Sequence, residues 1–276
     1  MKSVTIDDLN NLYIPAHGSH KGQNGRLLVI GGSHLFHAAS LWALTVASRI
    51  VDLVHYSSVP ENNELVKDEF HNGIVVPRED VDAYIEEDDV ILIGPGMVRD
   101  EETRDLTNSL LQKHPQKQWV IDAGALQMMD VSRIPKHAIL TPHHGEFMRL
   151  LSLNHELGIM NNGGAVQAFA KKYNCIVLLK GERDIASDGE TVKIIAGGNA
   201  GMTKGGTGDV LAGLVAALAC KNDPFLAAIA GAIINKKAGD ALYARVGPYF
   251  NASDLANEIP VVMKQLFIDN QTAAAN

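Results

Sequence analysis

RLLVIGG, residues 26–32, runs five residues of strand character into a pair of glycines. Its unbroken apolar run reads as a strand covered on both faces, and the glycines mark the turn that ends it. Leu35 to Val51 follows with Leu41, Leu44, Thr45, Ala47, Ser48 and Val51 at helical spacing, so a helix is predicted there. The same unit recurs along the chain. Strands are predicted at 53–58, 73–76, 89–94, 118–122, 138–141 and 175–181, with helices at 101–114, 125–129, 145–153 and 162–173. After 183–187 and 191–195, two short strands with polar interruptions, Ala-rich helices are predicted at 207–220, 224–244 and 252–267. Strands alternating with helices specify an α/β fold, a doubly wound, mostly parallel sheet with helices on both faces. No linker and no repeat divides the chain, so one domain over 1–270 is expected, with 271–276 a disordered tail. Ligands of such sheets bind outside the carboxyl ends of the strands, which directs attention to the turns.

Composition narrows the function. The chain has 276 residues, 46% of them hydrophobic and 20% charged, enough to bury a core without staples. Lys+Arg 24 against Asp+Glu 32 gives a net charge of −8, which opposes a broad nucleic-acid surface and leaves room for a local anion site. Cys175 and Cys220 read as buried thiols of a reducing compartment. The opening MKSVTIDDLN has no apolar core of a leader and no run is long enough to span a bilayer, so a soluble, cytoplasmic protein without a membrane partner is expected. The eleven histidines form no HExxH pattern, and His34/His37 and His143/His144 lack a third partner for zinc. The acidic stretch 86–89 reads as a solvated helix end.

The turns carry the chemistry. In GNAGMTKGGTGDVLAGLVAAL (198–218), Gly205, Gly206 and Gly208 free successive backbone N–H groups to converge, and Asp209 begins an apolar helix. Free N–H groups at the positive end of a helix make an anion site. A carboxylate beside it can take a proton from a substrate hydroxyl. The same loop also suits a plain helix cap, and it is neither a P-loop nor a dinucleotide fingerprint. HKGQNGRLLVIGGSH (20–34) and GPGM (94–97) supply two further glycine turns, the second followed by Arg99. VIDAGAL (120–126) and LTPHHGEF (140–147) end strands in Asp122 and Glu146, which could hold a hydrated Mg²⁺. LLKGERD (178–184) places Lys180 at a strand end, where its amine can meet a phosphate as a point charge.

In this order the turns HKG…LVIGGS, GPG, DA.AL, LTPH.GE, LKG and GGTGDVLAG resemble the ADP- or ATP-dependent NAD(P)H-hydrate dehydratases, a branch of the ribokinase-like superfamily, over about residues 18–265. The resemblance implies a ribokinase-like fold and a lyase that repairs NADH or NADPH hydrated at C6. The hydroxyl is phosphorylated by ADP or ATP, and phosphate then leaves. It also implies that Ala39, Gly96, His143 and Asp209 line the hydrate pocket, with Asp209 the catalytic base. Lys180, Gly181, Glu182, Arg183 and Asp184, with Gly205, Gly206, Thr207 and Gly208, would hold the nucleotide, Glu146 would support Mg²⁺, and the chain would form a homo-tetramer. The chain departs from the family pattern at Gly124, where an Asp is usual, at His144 for a Pro, and at Asp184 for a Thr. A ribokinase-like small-molecule kinase and a non-catalytic nucleotide-binding protein are the two competing readings of the same turns.

Overall fold

Strand β2 (Arg26–Ile30) sends Leu27 and Val29 into one hydrophobic core and Leu28 and Ile30 into another, all four fully buried. Both faces of the sheet are therefore covered, as the unbroken apolar run requires. The computed structural model describes residues 2–152 and 162–269. Within them the other strands are β1 (Lys2–Ser3), β3 (Leu53–Ser57), β4 (Ile74–Val75), β5 (Val90–Ile93), β6 (Gln118–Ile121), β7 (Ile139–Leu140), β8 (Ile176–Leu179), β9 (Asp184–Ser187) and β10 (Val192–Ile195). They form one sheet in the order β1-β10-β9-β8-β7-β6-β5-β2-β3-β4. All neighbours from β8 through β4 are parallel, and only β9 runs antiparallel to its two neighbours. The doubly wound expectation holds, and the strand order reverses between β2 and β5.

One face carries α1 (His37–Ala47), α2 (Pro60–Glu69), α8 (Thr207–Ala219), α9 (Pro224–Val246) and α10 (Ala252–Lys264). The other carries α3 (Val81–Glu87), α4 (Glu101–Lys113), α5 (Ala123–Met128), α6 (His144–Ser152) and α7 (Asn162–Tyr173). Side-chain caps start several of them: Asp100 accepts from the Thr103 N–H at 2.8 Å, and Asn251 and Asp254 form a reciprocal capping box. Helix α2 and strand β1 are absent from the sequence expectation. The sequence PENNELVKDE buries only Asn62, Asn63 and Val66, too few apolar positions to show a period. The helix expected over 35–51 is shorter, and it buries Ser40, Ala43, Leu44, Val46 and Ala47, leaving Leu41 half-buried. Contact with both β2 and α8 gives it more than one buried stripe. The last position of the helix expected over 145–153 and the tail 271–276 lie outside the described residues.

The strands end close together at their carboxyl edge, and Gly94 sets how close. Its φ is +123°, a region open to glycine alone. A Cβ built there would sit 1.8 Å from the Asp122 carbonyl oxygen at the end of β6. Gly94→Ala should therefore lower stability by roughly 2–4 kcal/mol. The urea midpoint falls while the slope is kept; a midpoint equal to wild type would show that the turn yields without cost.

Candidate active site

Lys180 stands where β8 leaves the sheet. Its backbone N–H donates to the Pro142 carbonyl at 2.8 Å and it bridges in parallel to His143, extending the β7–β8 pairing by one step. Its Nζ lies 2.8 Å from Asp122 Oδ1, which also accepts from the Thr141 hydroxyl at 2.9 Å. Asp122, at the end of β6, is 2% exposed. Lys180 also reaches the start of α8, where a Cβ on Gly208 would be 3.5 Å from its Nζ. Burial alone would push this ammonium's pKa down. The negative Asp122, Glu146 and Asp209 outweigh it and hold the pKa above its usual value.

Asp209 lies half-buried in the first turn of α8. Burial and then the charge of Asp122 push its carboxyl up to about 7, with Lys180 opposing. It is thus close to half ionised at neutral pH, the condition under which a carboxylate serves well as a general base. Glu146 is buried, and burial followed by Asp122 raises its pKa as well.

Glu146 and His143 hold each other. The His143 backbone N–H donates to Glu146 Oε2 at 2.8 Å, and the Glu146 backbone N–H donates to His143 Nδ1 at 3.2 Å. This is a capping box at the start of α6 with an imidazole in place of the usual hydroxyl. It commits Nδ1 to accepting, so in the neutral ring the proton sits on Nε2. The ring is exposed and borders the cavity described next.

A cavity of about 670 Å³ opens beside Lys180. This is a volume suited to a small ligand. Of the residues expected at the nucleotide, Lys180, Gly181, Glu182, Asp184, Thr207 and Gly208 line it, and His143 joins them at the edge. Arg183 is exposed and does not line it. Gly205 and Gly206 do not line it either. Gly206 caps α8 at φ +94°, with Trp42 so near that a Cβ would lie 2.3 Å from its ring. The Thr207 hydroxyl points back into the preceding turn, towards the carbonyls of Met202 at 2.7 Å and Lys204 at 2.9 Å.

Asp184 has its own counter-charge. Its Oδ1 accepts the Gly181 N–H at 2.8 Å and lies 3.3 Å from Lys236 Nζ. Burial pushes its pKa up, against the charge of Lys236. Lys236, on α9, is absent from the sequence expectation although it lines the cavity. Its one sequence signal is a lysine inside the apolar, Ala-rich run AAIAGAIINKKAG. Asn235 beside it is 5% exposed and also lines the cavity.

Of the four residues expected at the hydrate, His143 lines this cavity and Ala39, Gly96 and Asp209 do not. Ala39 and Gly96 meet where the strand order reverses: a Cβ on Gly96 would lie 3.2 Å from Ala39 Cβ and 2.4 Å from the Phe36 carbonyl. The Gly32 N–H donates to the Pro95 carbonyl at 2.7 Å, tying the β2 turn to the β5 turn. Gly124 fits tightly, since a Cβ there would meet the Met97 carbonyl at 2.2 Å. The Asp usual at that position has no room here. The magnesium expectation, a hydrated ion on Asp122 and Glu146, gains no further protein ligand: among the described residues no three His, Cys, Asp or Glu side chains group to hold a metal. Both Glu146 oxygens already accept protein hydrogen bonds, Oε1 from Gln127 at 2.8 Å. Asp122 and Glu146 therefore fit only a largely hydrated Mg²⁺ whose other ligands are phosphates.

Comparison with known proteins gives concordant matches. A family model described as NAD(P)H-hydrate dehydratase matches residues 27–261. A bifunctional NAD(P)H-hydrate repair enzyme of Methanocaldococcus jannaschii is 38% identical over 268 residues, covering 93% of this chain and 52% of that protein. The chain thus spans about half the length of such bifunctional relatives. An ADP-dependent (S)-NAD(P)H-hydrate dehydratase of Nitrosopumilus maritimus is 36% identical over 271 residues, 91% of this chain and 93% of that one. Among solved structures, an ADP/ATP-dependent NAD(P)H-hydrate dehydratase of Bacillus subtilis co-crystallised with ATP/Mg²⁺ shares the fold, with a TM-score of 0.83 over 96% of this chain and 98% of that one at 24% identity.

The raised pKa of Asp209 has a cost in stability. Between 3.8, its ordinary value, and about 7, the folded chain holds a proton that the unfolded chain has released. Stability therefore falls as pH rises through that window, and the full cost applies above it. Asp209→Asn should melt roughly 2–4 °C above wild type at about pH 8, with the gap closing towards pH 4. A wild type that melts at or above the variant at pH 8 contradicts the buried-carboxylate account.

Proposed function

The chain belongs to the NAD(P)H-hydrate dehydratase family, and from that premise we propose that it returns C6-hydrated NADH or NADPH to the reduced dinucleotide at the expense of ADP or ATP. The observation that carries this reading is Asp209, whose carboxyl burial pushes up to about 7 in the first turn of α8, within the charge field of Lys180 and next in the chain to Gly208, which lines the cavity. Asp209 takes the proton of the C6 hydroxyl while that oxygen attacks the terminal phosphorus of the nucleotide. Lys180 meets the phosphoryl oxygens as a point charge, and the N–H groups at the start of α8 face the same charge. The C6–O bond then breaks with phosphate as the leaving group, and loss of a C5 proton restores the ring double bond. The balance is hydrate plus nucleoside triphosphate (or diphosphate) giving dihydropyridine, phosphate and the shortened nucleotide.

His143, whose exposed ring borders the cavity with Nε2 3.5 Å from Glu146 Oε1, would seat the hydrated ring together with Ala39 and Gly96. Asp122 and Glu146 would support Mg²⁺, which supplies neutralisation of the phosphates. The name of the Nitrosopumilus maritimus relative makes ADP the first donor to test. No described helix is long and apolar enough to cross a membrane, in keeping with a cytoplasmic enzyme. A homo-tetramer belongs to the same reading, and the exposed Tyr243, Val246 and Tyr249 are apolar groups that an interface would cover.

Recovery of reduced-nicotinamide absorbance from hydrated NADH, with Mg²⁺ and ADP or ATP, tests the reading. Wild type should restore absorbance. Asp209→Asn should lose about 10²–10⁴ in kcat while still binding the nucleotide. Because the base must be ionised, kcat/KM should climb as pH rises through about 7. A phosphorylated product without return of absorbance would make the protein a kinase. Nucleotide binding without any turnover would leave a binding protein.

A further inference from the structure

Lys236 sits at the centre of a cage of oxygens. Its Nζ is 3.1 Å from the Gly181 carbonyl, 3.1 Å from that of Glu182, 3.2 Å from that of Gly197 and 3.3 Å from Asp184 Oδ1. Lys236 is 6% exposed and Asp184 4%. Gly197 and Gly198, at φ +109° and +80°, wrap the lysine stem, and a Cβ on Gly198 would be 3.5 Å from Nζ. Gly181, Glu182, Asp184, Gly197 and Gly198 all line the cavity.

Three carbonyl dipoles and a carboxylate aimed at one point repel one another unless a positive charge holds them. The turn at 181–184 and the turn at 197–198 come from different strand ends, and Lys236 is what draws them together. Resting on the nucleotide site proposed above, we propose that Lys236 is a positioning residue: its ammonium is a built-in monovalent cation that shapes the phosphate-side wall of the cavity without touching the nucleotide. The separations are those of N–H···O bonds and are far longer than the 2.0–2.6 Å that Mg²⁺ or Ca²⁺ demands of oxygen ligands. A cage emptied of its lysine head should accept free ammonium.

The experiment compares Lys236→Ala, which empties the cage, with Lys236→Met, which removes the charge but leaves the stem in place. ADP affinity is measured by calorimetry in sodium chloride and in ammonium chloride at equal ionic strength. Both variants should bind ADP at least about tenfold more weakly than wild type in sodium. Ammonium should restore most of the loss in Lys236→Ala and none in Lys236→Met. Without nucleotide, ammonium should raise the melting temperature of Lys236→Ala alone. Full ADP affinity in Lys236→Ala overturns the proposal, as does a loss that ammonium leaves unrelieved. If wild type binds no ADP, the same comparison is made with ATP; if it binds neither, the proposed function fails, and the nucleotide-free melting comparison still decides whether the cage takes a cation.

Discussion

The contact between Lys180 and Asp122 is the constraint around which the site is arranged. One ammonium serves three carboxylates, Asp122, Glu146 and Asp209. With all three ionised, two negative charges would be left over in a partly buried place. The molecule relieves the excess by raising the proton affinity of Asp209 and Glu146. The same excess makes the site a poor host for a bare nucleotide, whose phosphates would add to it. A polyanion fits there only with its own counter-charge, which is why a Mg²⁺ carried mainly by phosphate and water suits these residues better than a protein cage. The chemistry expected of Asp209 and the weak metal set thus share one origin.

That arrangement is available because four parallel strands end side by side. β5, β6, β7 and β8 deliver Gly94, Asp122, His143 and Lys180 to the same edge, and α8 points its N-terminus at them. The edge must be tight for the groups to meet. The side-chain-free backbone at Gly94 and Gly208 lets β5 approach β6 and lets Lys180 approach α8. Gly94 stands back from the reacting groups and Gly208 lies against Lys180, and each sets a distance on which the pairing depends. Stability and chemistry are in tension here, since burial makes Asp209 a base of useful strength and weakens the fold wherever that base is charged.

What was legible in the sequence follows from how local each signal is. Continuous apolar runs ending in glycine reveal the strands because burial on both faces is a property of the strand itself. Lys180 could be picked out because it stands at the end of such an element, where a parallel sheet places ligands, and Asp209 because glycines precede it at the start of an apolar helix. Polar α2 left no period to read, and β1 is only two residues long. Arg183, Gly205 and Gly206 followed the motif in sequence but do not line the cavity, since adjacency along a turn does not fix which residues face inward. Lys236 lies 52 positions after Asp184 in the chain (236 less 184), and nothing local marks the pairing.

That pairing also accounts for a departure from the family pattern. A carboxylate at position 184, beside a place for phosphates, is electrostatically adverse when taken alone. Paired with Lys236 it carries no net charge into the wall, and its Oδ1 still accepts the Gly181 N–H that shapes the turn. Buried ion pairs rarely add stability over an apolar pair, but removing one partner typically costs 3–5 kcal/mol. Asp184 and Lys236 are therefore best understood as one unit, each acceptable only in the presence of the other. The unit's contribution is the shape it imposes: two turns from separate strand ends are brought to a common point and leave the cavity open between Lys180 and α9.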